Sequence, residues 1–137
     1  MTSLDLSNGF VRVARVAGKG RGLIATRYIE CGTVILTEPV IAVSAPDEVR
    51  LIDERTVLRA YAVAWREDSI CFPVGWTMLI NHTRRPELHN VTCEHDYDED
   101  VLLIRAIRAI VPGEEILFDY GVSDTDLAQT YGILPDA

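Results

Sequence analysis

Two twelve-residue segments lying 81 positions apart, 25–36 and 106–117, share six residues in register: Ala, Arg, Ile, Gly, Ile and Leu. In each, a short run ending in isoleucine meets a glycine and resumes with Ile-Leu beyond it, which suits a strand, a turn and a second strand. Two such units commit much of the chain to β-structure, and two copies are too few for a solenoid. The surrounding sequence has the same texture. Residues 10–16 alternate, with Val11 and Val13 on one side and Arg12 on the other, the period of a half-buried strand. A turn follows at Gly18-Lys19-Gly20-Arg21-Gly22, then an apolar strand at 23–25. Residues 33–43 are rich in β-branched side chains, with Pro39 predicting an edge or a bend.

One segment reads differently. Val57, Tyr61 and Trp65 recur every four residues after Pro46 and Asp47, so 47–66 is predicted as one or two helices with Asp47 as N-cap. Tyr61 is read chiefly as core packing, with a place in a pocket wall as the second possibility. From Ile70 the pattern returns to β. Residues 91–94 and 101–110 flank the acidic stretch His95-Asp96-Tyr97-Asp98-Glu99-Asp100 and predict a hairpin with a solvated tip that would attract a basic partner. Ser123-Asp124-Thr125-Asp126 resembles the cap of a short final helix.

The chain has 137 residues, 48% hydrophobic, which suits one domain covering 1–137. Thirteen basic against 21 acidic residues leave a net charge of −8, the opposite of a footprint for phosphate backbones, so direct nucleic-acid binding is not expected. The basic residues are twelve arginines and one lysine, Lys19, a bias compatible with codon usage or with a lysine-modifying enzyme that spares itself. The longest apolar run, 101–111, is broken by Arg105 and Arg108, so no membrane span is expected. Three isolated cysteines, Cys31, Cys71 and Cys93, and no leader-like opening predict an intracellular, reduced protein.

The familiar site motifs mostly fail. After the glycine loop comes a strand rather than a helix, and no Gly-Lys-Ser/Thr is present, which argues against dinucleotide and phosphate-loop readings. His82, His89, Cys93 and His95 lack zinc-ligand spacing, and the stretch 96–107 lacks the glycine and glutamate of a calcium loop, so no metal is expected. Two clusters stand out. Asn81-His82-Thr83 closes the apolar stretch 76–80, and Phe118-Asp119-Tyr120-Gly121 closes a strand at 115–117. Polar groups so placed must find partners, and a functional pocket is one way to supply them.

Taken in order, Gly20-Arg21-Gly22, Asn81-His82-Thr83-Arg84-Arg85-Pro86, and Pro112-Gly113-Glu114-Glu115-Ile116-Leu117-Phe118-Asp119-Tyr120-Gly121 resemble the SET-domain protein lysine methyltransferases, over residues 9–121. The likeness is to compact members without cysteine-rich zinc flanks, and 122–137 contain no cysteine. Two departures are visible: Thr83 replaces the commoner serine, and Glu87-Leu88-His89 separate Pro86 from Asn90 where relatives have Pro-Asn.

The resemblance implies a mainly β fold of small curved sheets with a few short helices and a C-terminal pseudoknot. It also implies that Asn81-His82 and Phe118-Asp119-Tyr120 form one site. Gly20, Arg21 and Gly22 would bring backbone to S-adenosylmethionine, the side chain of Asn81 and the backbone of His82 would hold its amine and adenine, and Tyr120 would touch it and act catalytically. Phe118, Tyr120 and Tyr61 would line the lysine channel, with Phe118 tuning the number of methyl groups toward two or three. The implied substrate is lysine in a basic protein segment, such as a histone-like or ribosomal tail. Pairing with a second copy, as a homodimer, is one route by which so small a chain completes its substrate groove. The expected compartment is the cytoplasm, or the nucleus of the cell or its host for a eukaryotic, viral or effector protein. The alternative is a catalytically inactive SET-like interaction module, its loop disturbed by the three residues after Pro86.

Overall fold

The computed structural model describes residues 6–121. The expected final helix at 123–132 lies outside the described residues. Nine strands and one α-helix alternate as β1 (Val11–Val16), β2 (Gly20–Ala25), β3 (Val34–Val43), α1 (Pro46–Arg55), β4 (Val63–Ala64), β5 (Ile70–Pro73), β6 (Asn81–His82), β7 (Val91–Asp96), β8 (Val101–Ala106) and β9 (Leu117–Phe118) among the described residues. They form an antiparallel β1–β2 pair, a five-stranded sheet in the order β4-β5-β3-β8-β7, and a short parallel β6–β9 pair. The mainly β architecture of small sheets matches the sequence reading.

The two matching segments pair with each other. Ile29 N–H donates to Ile110 O at 2.8 Å and Ile110 N–H returns the bond at 2.9 Å. Gly32 N–H reaches Ala106 O and Gly113 N–H reaches Ala25 O, both at 2.8 Å. Ala106 N–H donates to Thr33 O at 2.9 Å and Ala25 N–H to Glu114 O at 2.8 Å. Every bond has a counterpart 81 residues away, so the sequence echo is a local pseudo-two-fold. Gly32 and Gly113 both take φ +91°, a backbone region closed to most side chains. The isoleucines and alanines that the two units share, Ala25, Ile29 and Ile35 with Ala106, Ile110 and Ile116, enter one core with Leu23, Ile80 and Ile104. A second, smaller cluster gathers Trp65, Cys71 and Leu102. Burial pushes the Cys71 thiol up to about 12 and that of Cys93 up to about 11, so both behave as small neutral packing groups.

The helical prediction is corrected. Helix α1 stops at Arg55 because Thr56 is extended, and its hydroxyl instead accepts Leu58 N–H at 3.2 Å to open a 3₁₀ turn, Val57–Ala60. The N-cap is Ala45, with Pro46 in the first turn, and Asp47 pairs with Arg50 at 2.7 Å. Val57 is exposed, whereas Trp65 is buried just past β4, so their four-residue spacing is not one helix face. Pro39 is not on an edge strand either. It lies where β3 passes from β8, its partner over Val34 to Pro39, to β5, its partner from Val40 onward. Proline's missing N–H falls at that handover, where the ladder loses least.

Two buried polar side chains steer the chain into the site. Glu38 of β3 accepts the N–H groups of Trp76 and Thr77, fixing the 3₁₀ turn Thr77–Leu79 that leads into β6. A Cβ at Gly75 would run into that carboxylate, so the turn needs glycine. Asn90 is fully buried, donating from Nδ2 to Glu115 O at 2.8 Å and accepting Leu117 N–H at Oδ1 at 2.9 Å. Its backbone N–H meets Leu117 O at 3.1 Å and its O receives Ile107 N–H at 2.9 Å. The three extra residues after Pro86 are taken up by a 3₁₀ turn, Pro86–Leu88, that leaves Asn90 in place.

Asn90→Ala should therefore strand one buried donor and one buried acceptor and lower unfolding stability by about 2 kcal/mol or more. Denaturant titration checks this; a variant as stable as the parent would show that β9 is held by other means.

Candidate functional site

The parallel β6–β9 pair sets Asn81 opposite Leu117 and His82 opposite Phe118. Two segments 36 residues apart thus end side by side. Thr83 N–H adds a further bond to Phe118 O at 3.3 Å.

On one side of this pair, Asn81 meets the glycine loop. Its Nδ2 donates to Arg21 O at 3.0 Å and to Glu115 Oε2 at 2.8 Å, which leaves Oδ1 as an acceptor suited to a cationic amine. Lys19 Nζ approaches the other Glu115 oxygen at 3.3 Å. A Cβ at Gly22 would lie 2.8 Å from both Asn81 Nδ2 and Glu115 Oε2, so a residue without a side chain is needed for the loop to come this close. Gly20, at φ +77°, turns the loop. Gly20, Arg21, Gly22 and Asn81 are therefore neighbours in space.

His82 forms the joint. It is 5% exposed, and its Nδ1 accepts Tyr120 N–H at 3.0 Å. The ring is then the neutral tautomer with hydrogen on Nε2, and that buried group has no acceptor among the described residues. Burial lowers the His82 pKa from its ordinary value near 6.5; Asp119, with Oδ1 at 3.8 Å from Nδ1, opposes this, while Arg84, His89 and Lys19 reinforce it. The His82 and Tyr120 rings lie 5.0 Å apart between centroids.

On the other side, Tyr120 faces a cavity of about 620 Å³ walled by Tyr61, Thr77, Ile80, His89, Phe118 and Tyr120, among others. Phe118 meets Tyr120 edge-on at 5.3 Å. The Tyr120 hydroxyl donates to Ile80 O at 2.9 Å, which turns oxygen lone pairs toward other donors. Thr77 Oγ1 is buried in this wall without a hydrogen-bond partner among the described residues. Strand β7 adds Val91, Thr92, Cys93 and His95 to the wall, and the acidic tip begins immediately after.

The structure thus brings Tyr61, Phe118 and Tyr120 to one cavity and gathers Gly20, Arg21, Gly22 and Asn81 outside its wall, with His82 and Tyr120 bonded between. Tyr61 arrives there from the segment after a 3₁₀ turn rather than from a helix. Four participants were missed in the sequence. Lys19 and Glu115 lay inside quoted motifs but gained meaning only from contact with Asn81. His89 sits in the three-residue insertion, its Nε2–H donating to Thr83 O at 2.7 Å, so that departure was its signal. Thr77 carried none. Among the described residues, no three His, Cys, Asp or Glu side chains converge as a metal site.

The model of one protein family, the SET domain, matches residues 20–121, most of the chain and all of this site but Lys19. The chain belongs to the SET-domain family. Solved structures with the same fold include CpSET8 from Cryptosporidium, 25% identical with a TM-score of 0.65 over 82% of this chain and 58% of that one. A Plasmodium falciparum protein described as a histone methyltransferase is 20% identical with a TM-score of 0.62, over 85% of this chain and 97% of that one. The Polycomb Repressive Complex 2 of Chaetomium thermophilum, in an autoinhibited conformation bound to S-adenosylmethionine, is 22% identical with a TM-score of 0.63 over 84% of this chain and 15% of that one. Among curated proteins, none matches this chain in sequence.

The depressed His82 pKa has a definite sign. As pH falls below about 6.5, the unfolded imidazole takes a proton before the folded one, so stability is complete above that value and declines toward the folded pKa. Protonation also removes the acceptor for Tyr120 N–H. Melting temperature should fall more steeply between neutral and mildly acidic pH in the parent than in His82→Asn. Equal slopes would assign the acid sensitivity to other groups.

Proposed function

We propose that this SET domain is an S-adenosylmethionine-dependent protein lysine N-methyltransferase acting on lysine in a basic protein segment. The observation that carries this reading is the position of Tyr120, whose amide is bonded to His82 beside the glycine-loop cradle while its ring and hydroxyl face the cavity. A donor site and an acceptor site that meet at one residue are what a group transfer between two large molecules requires.

The residues fit such a cofactor. The Gly22 cradle brings backbone close without side-chain interference, Asn81 Oδ1 and the Glu115 carboxylate suit a cationic amine, and the buried Nε2–H of His82 is a donor with no acceptor among the described residues. S-adenosylmethionine, when bound, supplies a sulfonium methyl group for in-line displacement by a neutral lysine amine. The cavity walls hold the lysine stem by apolar contact with Ile80, Phe118 and Tyr61. The Tyr120 oxygen accepts an amine N–H, which orients the nitrogen lone pair along the line of attack. Phe118 offers no hydroxyl to hold a water in the channel, so room remains for a methylated amine and the products are di- or trimethyllysine. A net charge of −8, with the acidic tip next to the His95 end of the cavity, favours a basic segment such as a histone-like tail by long-range attraction. The undisturbed Asn90 network favours an active enzyme over the interaction-module alternative.

Isotope transfer from S-adenosylmethionine into lysines of a basic protein extract tests the proposal. The parent should label protein, and Tyr120→Phe should lose roughly 10² or more of the rate while staying folded. Phe118→Tyr should shift the products toward monomethyllysine by mass spectrometry. A parent that binds S-adenosylmethionine without transferring label would establish the inactive module instead.

A further inference from the structure

Lys19 is the single lysine among thirteen basic residues, and it stands at the centre of the glycine loop between Gly18 and Gly20, both at positive φ. Among the described residues its ammonium pairs with Glu115 Oε1 at 3.3 Å, and its side chain is 33% exposed. Glu115 is the more enclosed partner at 15%. Its backbone is fixed twice, by the Ile24–Glu115 bridge and by the Asn90 amide on its carbonyl, and its second oxygen is oriented by Asn81. The pair is therefore asymmetric: a carboxylate held from three sides in the cradle, and a more exposed cation on the turn between β1 and β2. A single-point ammonium is also easier to displace than a two-pronged guanidinium, which the chain uses in all its other basic residues.

A carboxylate this enclosed needs a cation, but nothing requires that cation to be Lys19. We propose that Glu115 is the counter-charge for the α-ammonium at the amino-acid end of the bound nucleoside, and that Lys19 holds this place until the ligand exchanges with it. The inference rests on the cofactor reading above; it ties Glu115 to one group of the ligand and adds Lys19, to which that reading gave no role. Asn81 acts in the same exchange by holding Glu115 Oε2 in the direction the ligand enters.

Calorimetry on the full chain separates this from a structural ion pair. The ligands are S-adenosylhomocysteine, which carries the ammonium but no transferable methyl, and 5′-methylthioadenosine, which lacks the amino-acid end. Glu115→Gln should weaken S-adenosylhomocysteine about ten-fold or more, the scale of one charge-assisted hydrogen bond, and leave 5′-methylthioadenosine unchanged. Lys19→Met removes a competitor, so it should bind S-adenosylhomocysteine as tightly as the parent or several-fold more tightly. If both variants weaken both ligands alike, the pair merely supports the loop and the proposal is wrong. It is equally wrong if Glu115→Gln binds S-adenosylhomocysteine like the parent. A parent that binds neither ligand overturns the cofactor reading itself, and the exchange with it.

Discussion

The reciprocal backbone bonds between the two glycine turns, Ile29 with Ile110, Gly32 with Ala106 and Gly113 with Ala25, hold residues 25–33 and 106–114 in one frame. Ile29 and Ile110 are buried in the core that both units share, so breaking their bonds would leave main-chain groups unpaired in an apolar setting. The second turn delivers residues 114–121 directly from this frame. Glu115 reaches Asn81, β9 reaches β6, and Tyr120 reaches His82 because the turn at Gly113 has only one place to go. The chemistry sits on the segment that leaves the pseudo-two-fold, where the two halves stop resembling each other.

That geometry makes one residue pair the hinge between two environments. The His82 ring is apolar-buried and neutral, held so by the Tyr120 amide, and on either side lie a polar cradle and a largely apolar cavity. The cradle is built from backbone, an amide and a carboxylate, all suited to a zwitterionic ligand. The cavity is built from aromatic and aliphatic walls, suited to a long methylene stem with a polar end. Buried polar groups elsewhere serve this division: Glu38 sets the turn before Asn81, and Asn90 sets the strand before Phe118.

Much of this was legible because the signals are local. The glycine turns, the alternation of β1, the hairpin around 97–100 and the order of the three motifs are each contained in a few adjacent residues. The helical reading of 47–66 failed for a local reason as well. Four-residue spacing at Val57, Tyr61 and Trp65 imitates a helix face, but the extended Thr56 ends α1, and burial of Trp65 against Cys71 and Leu102 is a tertiary gain that spacing does not report. Lys19 with Glu115, and Glu38 with Trp76 and Thr77, were illegible because 96 and 38 to 39 residues separate the partners. No periodicity links such pairs; only the closed sheet does. His89 was visible as an insertion, and its place in the cavity wall followed from the 3₁₀ turn that absorbs the added length.

The central claim is that the glycine loop, the β6 end and the segment after β9 form one nucleoside-binding site joined at His82 and Tyr120. Hydrogen exchange by mass spectrometry, with and without S-adenosylhomocysteine, addresses it without depending on catalysis. The account predicts that added ligand slows exchange together in peptides covering 18–23, 80–84 and 117–121, while the hairpin around 97–100 is unchanged. Protection confined to one of the three segments, or centred on α1 or the hairpin, would contradict it.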